Sequence, residues 1–125
     1  MNENISGVIL FDETLRQASA DSTALKDIIL KTGALPGIKV DKGVSPINES
    51  EEVLTGGLDG LEERCAEYES LGAKFTKWRA VIKIGENIPT DECIEANTQA
   101  LADYAKIVQN NNICLLYTSD AADEP

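Results

Sequence analysis

The chain has 125 residues, about one ordinary domain, with 42% hydrophobic residues and 11 basic against 22 acidic side chains, a formal charge of −11. That balance excludes a typical nucleic-acid binder, whose affinity comes from cations that neutralise phosphates. The sequence has no histidine, which removes the commonest metal ligand and general base and argues against a zinc centre or a histidine-based triad.

Gly7 to Phe11 is a short apolar run of strand formers and suits a buried strand. A polar segment with helix formers follows, in which Leu25, Ile28, Ile29 and Leu30 predict one helical turn facing a core. Thr32 to Pro36 breaks that pattern, and Gly37 to Val40 predicts a second strand. Asp41 to Glu52 is expected as loop, punctuated by Gly43 and Pro46. Leu58, Leu61, Cys65 and Tyr68 form a helical stripe that Gly72 closes. Phe75 to Val81 is the third predicted strand.

Thr90 is placed to cap a helix whose first turn carries Asp91 and Glu92, acids that suit the positive end of the dipole. Ile94, Leu101, Tyr104, Ala105 and Val108 continue one face of that helix, and Asn110 to Asn112 ends it. Strands alternating with helices imply parallel pairing through crossovers, an α/β architecture. From Cys114 the texture changes. Residues 114–125 resemble the conceptual translation of a sequencing-library adapter, and a disordered tail is expected there.

Cys65, Cys93 and Cys114 are an odd number at wide spacing with no CxxC pair, a pattern of free thiols in a reducing compartment. Met1 to Asn4 begins no signal peptide, and no apolar stretch approaches the roughly 20 residues that span a bilayer. The expected location is the cytoplasm, with neither a membrane nor a nucleic acid as partner.

The stretch richest in chemistry is Lys77-Trp78-Arg79. Side chains alternate along a strand, so Lys77 and Arg79 share one face and Trp78 takes the other. Two cations roughly 6–7 Å apart in a partly buried site repel by roughly 2–3 kcal/mol at an effective dielectric near 20. Something anionic belongs between them, either a buried carboxylate of the protein or a ligand phosphate. Lys39 ends a short apolar strand, with Asp41 on its face and Lys42 beside it. Three cations at two strand ends would suit a phosphorylated small molecule, since α/β proteins bind ligands where strands end.

Other groups carry less. Gly56-Gly57 could offer N–H groups to a phosphate but lacks a P-loop or GxGxxG pattern, so a plain helix entry is expected. Cys65 falls on the apolar stripe as a core residue, and Cys93 sits where a helix start can lower a thiol pKa, with no histidine to activate it. Glu62, Glu63, Glu67 and Glu69 are expected on a solvated helix face.

Four blocks occur in order: Gly7 to Leu15, Gly37 to Gly43, Gly57 to Leu61, and Ala73 to Arg79. Together they resemble class I fructose-bisphosphate aldolase over about residues 5 to 113. The resemblance implies a partial (β/α)8 TIM barrel spanning residues 1–113, with about three of eight parallel strands and their intervening helices. It implies a lyase of glycolysis that cleaves fructose 1,6-bisphosphate to dihydroxyacetone phosphate and glyceraldehyde 3-phosphate. The chemistry runs through a lysine Schiff base, without metal or cofactor. Carried over residue by residue, Lys39 and Arg79 match positions that bind the substrate and its phosphate. Lys77 matches a catalytic position beside the reacting carbons, where a cation stabilises developing negative charge.

Departures temper the carry-over. The resemblance implies an acidic residue on an earlier strand, a glutamate on the strand after Ile113, a Schiff-base lysine beyond that, and a serine and an arginine for phosphate. None of the lysines here aligns with the nucleophile. The chain as it stands is therefore expected to be inactive and marginally stable, a fragment of a family often homotetrameric. A non-catalytic sugar-phosphate-binding or scaffold fragment is the alternative.

Overall fold

In a computed structural model, residues 3–18 and 22–123 are described. Strand β1 (Gly7–Leu10) leads into a short helix α1 (Asp12–Arg16), and α2 (Leu25–Lys31) precedes β2 (Leu35–Lys39). A ribbon of β3 (Val44–Pro46) and β4 (Val53–Thr55) follows, then α3 (Leu61–Ser70) and β5 (Phe75–Ile84). The long helix α4 (Asp91–Asn110) leads to β6 (Cys114–Asp123). The main sheet has the order β1-β2-β5-β6, all parallel, and β3-β4 is a separate antiparallel pair.

Helices cover one face of this sheet. Ile38, Val40, Thr76, Trp78 and Ala80 are buried on it, and Ile38, Val40 and Trp78 share a core with Leu61, Cys65 and Tyr68 of α3 and Tyr104 and Val108 of α4. Trp78 is wholly buried, and its ring stacks on Tyr104 with centroids 5.1 Å apart and planes at 27°. Because the strand alternates, that fixes Lys77 and Arg79 on the opposite, inner face. Phe75 also lies on the inner face, its ring against Gly37. A Cβ built at Gly37 would fall 2.3 Å from that ring, so this register position accepts only glycine without a shift of the aromatic side chain.

Helix ends follow sequence chemistry. The Thr90 hydroxyl accepts from Cys93 N–H at 3.2 Å, the cap expected of it. Gly72 sits at φ +96° directly after α3, where a left-handed residue lets Ala73 N–H return to Tyr68 C=O at 2.9 Å. Buried Glu52 fastens the β3-β4 ribbon to the start of α4, its two carboxylate oxygens accepting from Thr90 N–H (2.9 Å) and Thr90 O–H (2.7 Å).

Several expectations need correction. The three predicted strands are present as β1, β2 and β5, but the parallel sheet has four strands. Residues Cys114–Asp123, expected as a disordered tail, form β6 in unbroken parallel register with β5. The cause is backbone pairing along the whole of β5, helped by Leu115 packed against the core and by the Tyr104 hydroxyl, which donates to Leu116 C=O at 3.0 Å. Part of the expected 41–52 loop is β3, and β5 runs on to Ile84. On α2 Ile29 is buried while Ile28 and Leu30 are exposed, because the turn is too short to bury two faces. On α4 the buried stripe is Cys93, Asn97, Ala100, Tyr104 and Val108, and Ile94 points to solvent.

Two predictions follow from this packing. The Tyr104 hydroxyl, which also lies 2.6 Å from Thr76 Oγ1, should be worth about 1 kcal/mol. Hydrogen exchange at Leu116 to Thr118 should therefore rise roughly fivefold in Tyr104→Phe, while the exchange of β1 amides stays unchanged. Glu52 is held below the usual carboxylate range by the Thr90 hydroxyl first and the Thr90 N–H second. With a folded pKa below the unfolded one, its contribution is complete above the unfolded value and disappears as pH falls through the folded value. The melting-temperature gap between wild type and Glu52→Gln should be widest near neutral pH and close as acid is added.

Candidate functional site

Lys39 and Lys77 are direct register partners on neighbouring strands, which sets their Cα atoms roughly 4.8 Å apart. Arg79 lies two residues further along the same face of β5, beside a cleft of about 310 Å³ lined by Lys39, Asp41, Gly43, Val44, Arg79 and Val81. All three cations expected at the site thus share one face of the sheet. Lys77 does not line the cleft itself.

Each cation has a defined environment. The Lys39 ammonium pairs with the Asp41 carboxylate, whose side chain is only 6% exposed, and Lys39 Nζ also reaches Asp41 C=O at 3.4 Å. Lys77 Nζ donates to Thr118 Oγ1 at 2.7 Å. The backbone of Arg79 is held from both sides: its N–H donates to Asp41 Oδ2 at 3.2 Å, and its C=O accepts from Thr55 Oγ1 at 2.8 Å. The choice left open between a protein carboxylate and a ligand anion is thereby divided. Asp41 serves Lys39 directly and meets Arg79 at its backbone N–H, while Lys77 meets a neutral hydroxyl.

Thr118 and Thr55 escaped sequence reasoning. Thr118 lies in the segment set aside as tail, although its register with Arg79 would have marked it once the segment was paired. Thr55 reaches β5 from the β3-β4 ribbon, whose folding over the sheet has no local sequence signal.

The weaker candidates have other roles. Cys93 is fully buried, and its thiol is pushed up in pKa by burial and then by Glu52, the reverse of helix-start activation. Burial raises Cys65 to about 11, as suits a core thiol. Gly56 N–H is spent on Gly43 C=O at 2.8 Å, and a Cβ at Gly57 (φ +123°) would fall 3.0 Å from Val40 C=O and Lys42 N, so this turn packs against β2's end. Glu62, Glu63, Glu67 and Glu69 are exposed, with Glu67 accepting from Arg16 Nη1 at 2.6 Å. Among the described residues no cluster of three cysteine or carboxylate groups could hold a metal ion.

Comparison with known proteins bears on this arrangement. The family model described as fructose-bisphosphate aldolase class-I matches residues 1–121. A probable fructose-bisphosphate aldolase class 1 of Xanthomonas axonopodis pv. citri is 51% identical over 114 residues, covering 90% of this chain and 34% of that protein. The cytosolic fructose-bisphosphate aldolase 6 of Arabidopsis thaliana is 52% identical over 110 residues, covering 87% and 31%. Among solved structures, fructose-bisphosphate aldolase from Plasmodium falciparum, in a ternary complex with TRAP and a small-molecule inhibitor, superposes with a TM-score of 0.90 at 42% identity. That match covers 94% of this chain and 35% of the other. The chain spans about a third of the length of the curated relatives it matches. The four parallel strands and their helices are thus an arc of the aldolase barrel, and the chain belongs to the class I fructose-bisphosphate aldolase family.

Proposed function

We propose that the inner face of this arc is the sugar-phosphate-binding part of a class I aldolase site that cleaves fructose 1,6-bisphosphate. The observation that carries the reading is the register pairing of Lys39 with Lys77, with Arg79 on the same face at the edge of a cleft. Two ammonium groups side by side on adjacent strands repel, and Asp41 neutralises only one of them. A dianionic phosphate would relieve what remains.

Roles divide by environment. Arg79 borders the cleft and offers the planar fork suited to phosphate. Lys39, shared with Asp41, orients the substrate from the opposite wall. Lys77 sits beside the cleft on the Thr118 hydroxyl, where its charge would stabilise the anion that develops on carbon–carbon cleavage. The strand after Ile113 carries no glutamate through Asp123, and Thr118 is the group that Lys77 meets there. The encoding DNA across codons 110 to 125 tests the adapter reading, which a chromosomal sequence identical to the present one would overturn.

The cations and hydroxyl assembled here bind and polarise, while covalent capture of the ketone belongs to a lysine that these residues do not supply. A cytoplasmic setting fits the cytosolic Arabidopsis relative, and no helix among the described residues is long and apolar enough to cross a membrane.

Titration with inorganic phosphate and with fructose 1,6-bisphosphate tests the binding part. Arg79→Ala should weaken the bisphosphate about tenfold or more, as expected for a charge-assisted contact worth about 1.5–3 kcal/mol. Equal affinity in the two proteins would remove Arg79 from the site. Borohydride added to the 125-residue chain with fructose 1,6-bisphosphate should leave no covalent adduct. A trapped adduct on Lys39 or Lys77 would reverse the assignment of roles.

A further inference from the structure

The ladder between β2 and β5 breaks just where the cleft opens. Val40 N–H donates to Lys77 C=O at 3.1 Å. In a regular parallel pair the next bond would run from Arg79 N–H to Val40 C=O, since each residue bonds to the two that flank its neighbour. Here both groups are diverted. Val40 C=O accepts from Arg64 Nη1 at 3.2 Å, and Arg79 N–H donates to Asp41 Oδ2 at 3.2 Å. One guanidinium and one carboxylate stand in for a single backbone rung, and the strands separate beneath the cleft.

Asp41 does more than repair a ladder. Its other oxygen receives the Lys39 ammonium, so a single, almost fully buried carboxylate ties the side chain of one site cation to the backbone of another. A buried carboxylate is costly unless its donors are fixed, which makes the arrangement stiff. The reach of Arg64 from α3, also anchored at Gly57 C=O by Nη2 at 2.5 Å, keeps Val40 C=O from reclaiming Arg79 N–H.

We infer that Asp41 is a positioning residue of the anion-binding cleft, setting the distance between the Lys39 ammonium and the Arg79 backbone through its two oxygens. The inference deepens the sugar-phosphate reading of the cleft and rests on it. In this role Asp41 acts through the Lys39 ammonium and the Arg79 N–H.

The two bonds can be separated in the full 125-residue chain in phosphate-free buffer. Asp41→Asn keeps an acceptor for Arg79 N–H but loses the ion pair, and Asp41→Ala loses both. Limited acylation, read as the Lys39 to Lys42 labelling ratio, reports the first bond, and amide hydrogen exchange at Arg79 reports the second. Asp41→Asn should raise the labelling ratio about fivefold or more while leaving Arg79 exchange within about twofold, and Asp41→Ala should raise exchange about tenfold as well. Thr55→Val, which loosens Arg79 from the other side, should leave the Lys39 ratio unchanged. An unchanged ratio in Asp41→Asn, or an equal rise in Thr55→Val, would overturn the inference. If Asp41→Ala does not fold, the Asn and Val variants still decide it. Inorganic phosphate is added afterwards to the wild type, where failure to shift the Lys77 and Arg79 resonances would sink the anion-site reading by itself, since the ratios are read without anion.

Discussion

The stacking of Trp78 on Tyr104 decides which way β5 faces, and with it nearly everything functional. Side chains alternate along a strand, so one residue of slip would turn Trp78 out and bury Lys77 and Arg79 among the helices. A fully buried indole against a buried phenol makes that slip prohibitive. Tyr104 adds polar anchoring, its hydroxyl held between Thr76 and Leu116 and pushed up to about 12 in pKa by burial. The outer face thus supplies the rigidity, and the inner face is left to carry charge.

Three cations, Lys39, Lys77 and Arg79, gather on that inner face. Asp41 is spent on Lys39 and on the backbone of Arg79, which is efficient for geometry and poor for neutralisation. In a chain with twice as many acids as bases, three basic residues on one face of the sheet run against the composition. Other acids are engaged away from this face: Asp12 and Glu67 serve Arg16, and Glu52 serves the start of α4. Under the proposed reading, attraction of a small anion to the cleft would be a local effect set against an unfavourable global field.

Much of this was legible in the sequence. The two-residue alternation at Lys77-Trp78-Arg79 placed the cations and the core residue correctly, because one large aromatic between two charges leaves little choice of face. The Thr90 cap, the Gly72 stop and the Leu61, Cys65, Tyr68 stripe are local patterns with local causes. What was not legible depends on distant partners. The burial of Asp41, the reach of Thr55 and Arg64, and the inversion of Cys93 from activated to suppressed thiol each arise where separate elements meet. The outward turn of Ile94 shows the same limit on a helix: periodicity gives a stripe, while the sheet beneath chooses its rotation.

Tyr104 meets β6 through the carbonyl of Leu116, and β5 meets it through main-chain groups along its whole length. Neither contact reads side-chain identity. The fourth position of the sheet therefore behaves as a generic berth, open to any segment that can extend and place one apolar residue where Leu115 sits. Architecture and chemistry separate there: main-chain pairing completes the layer, and the Thr118 hydroxyl is what the strand presents to Lys77.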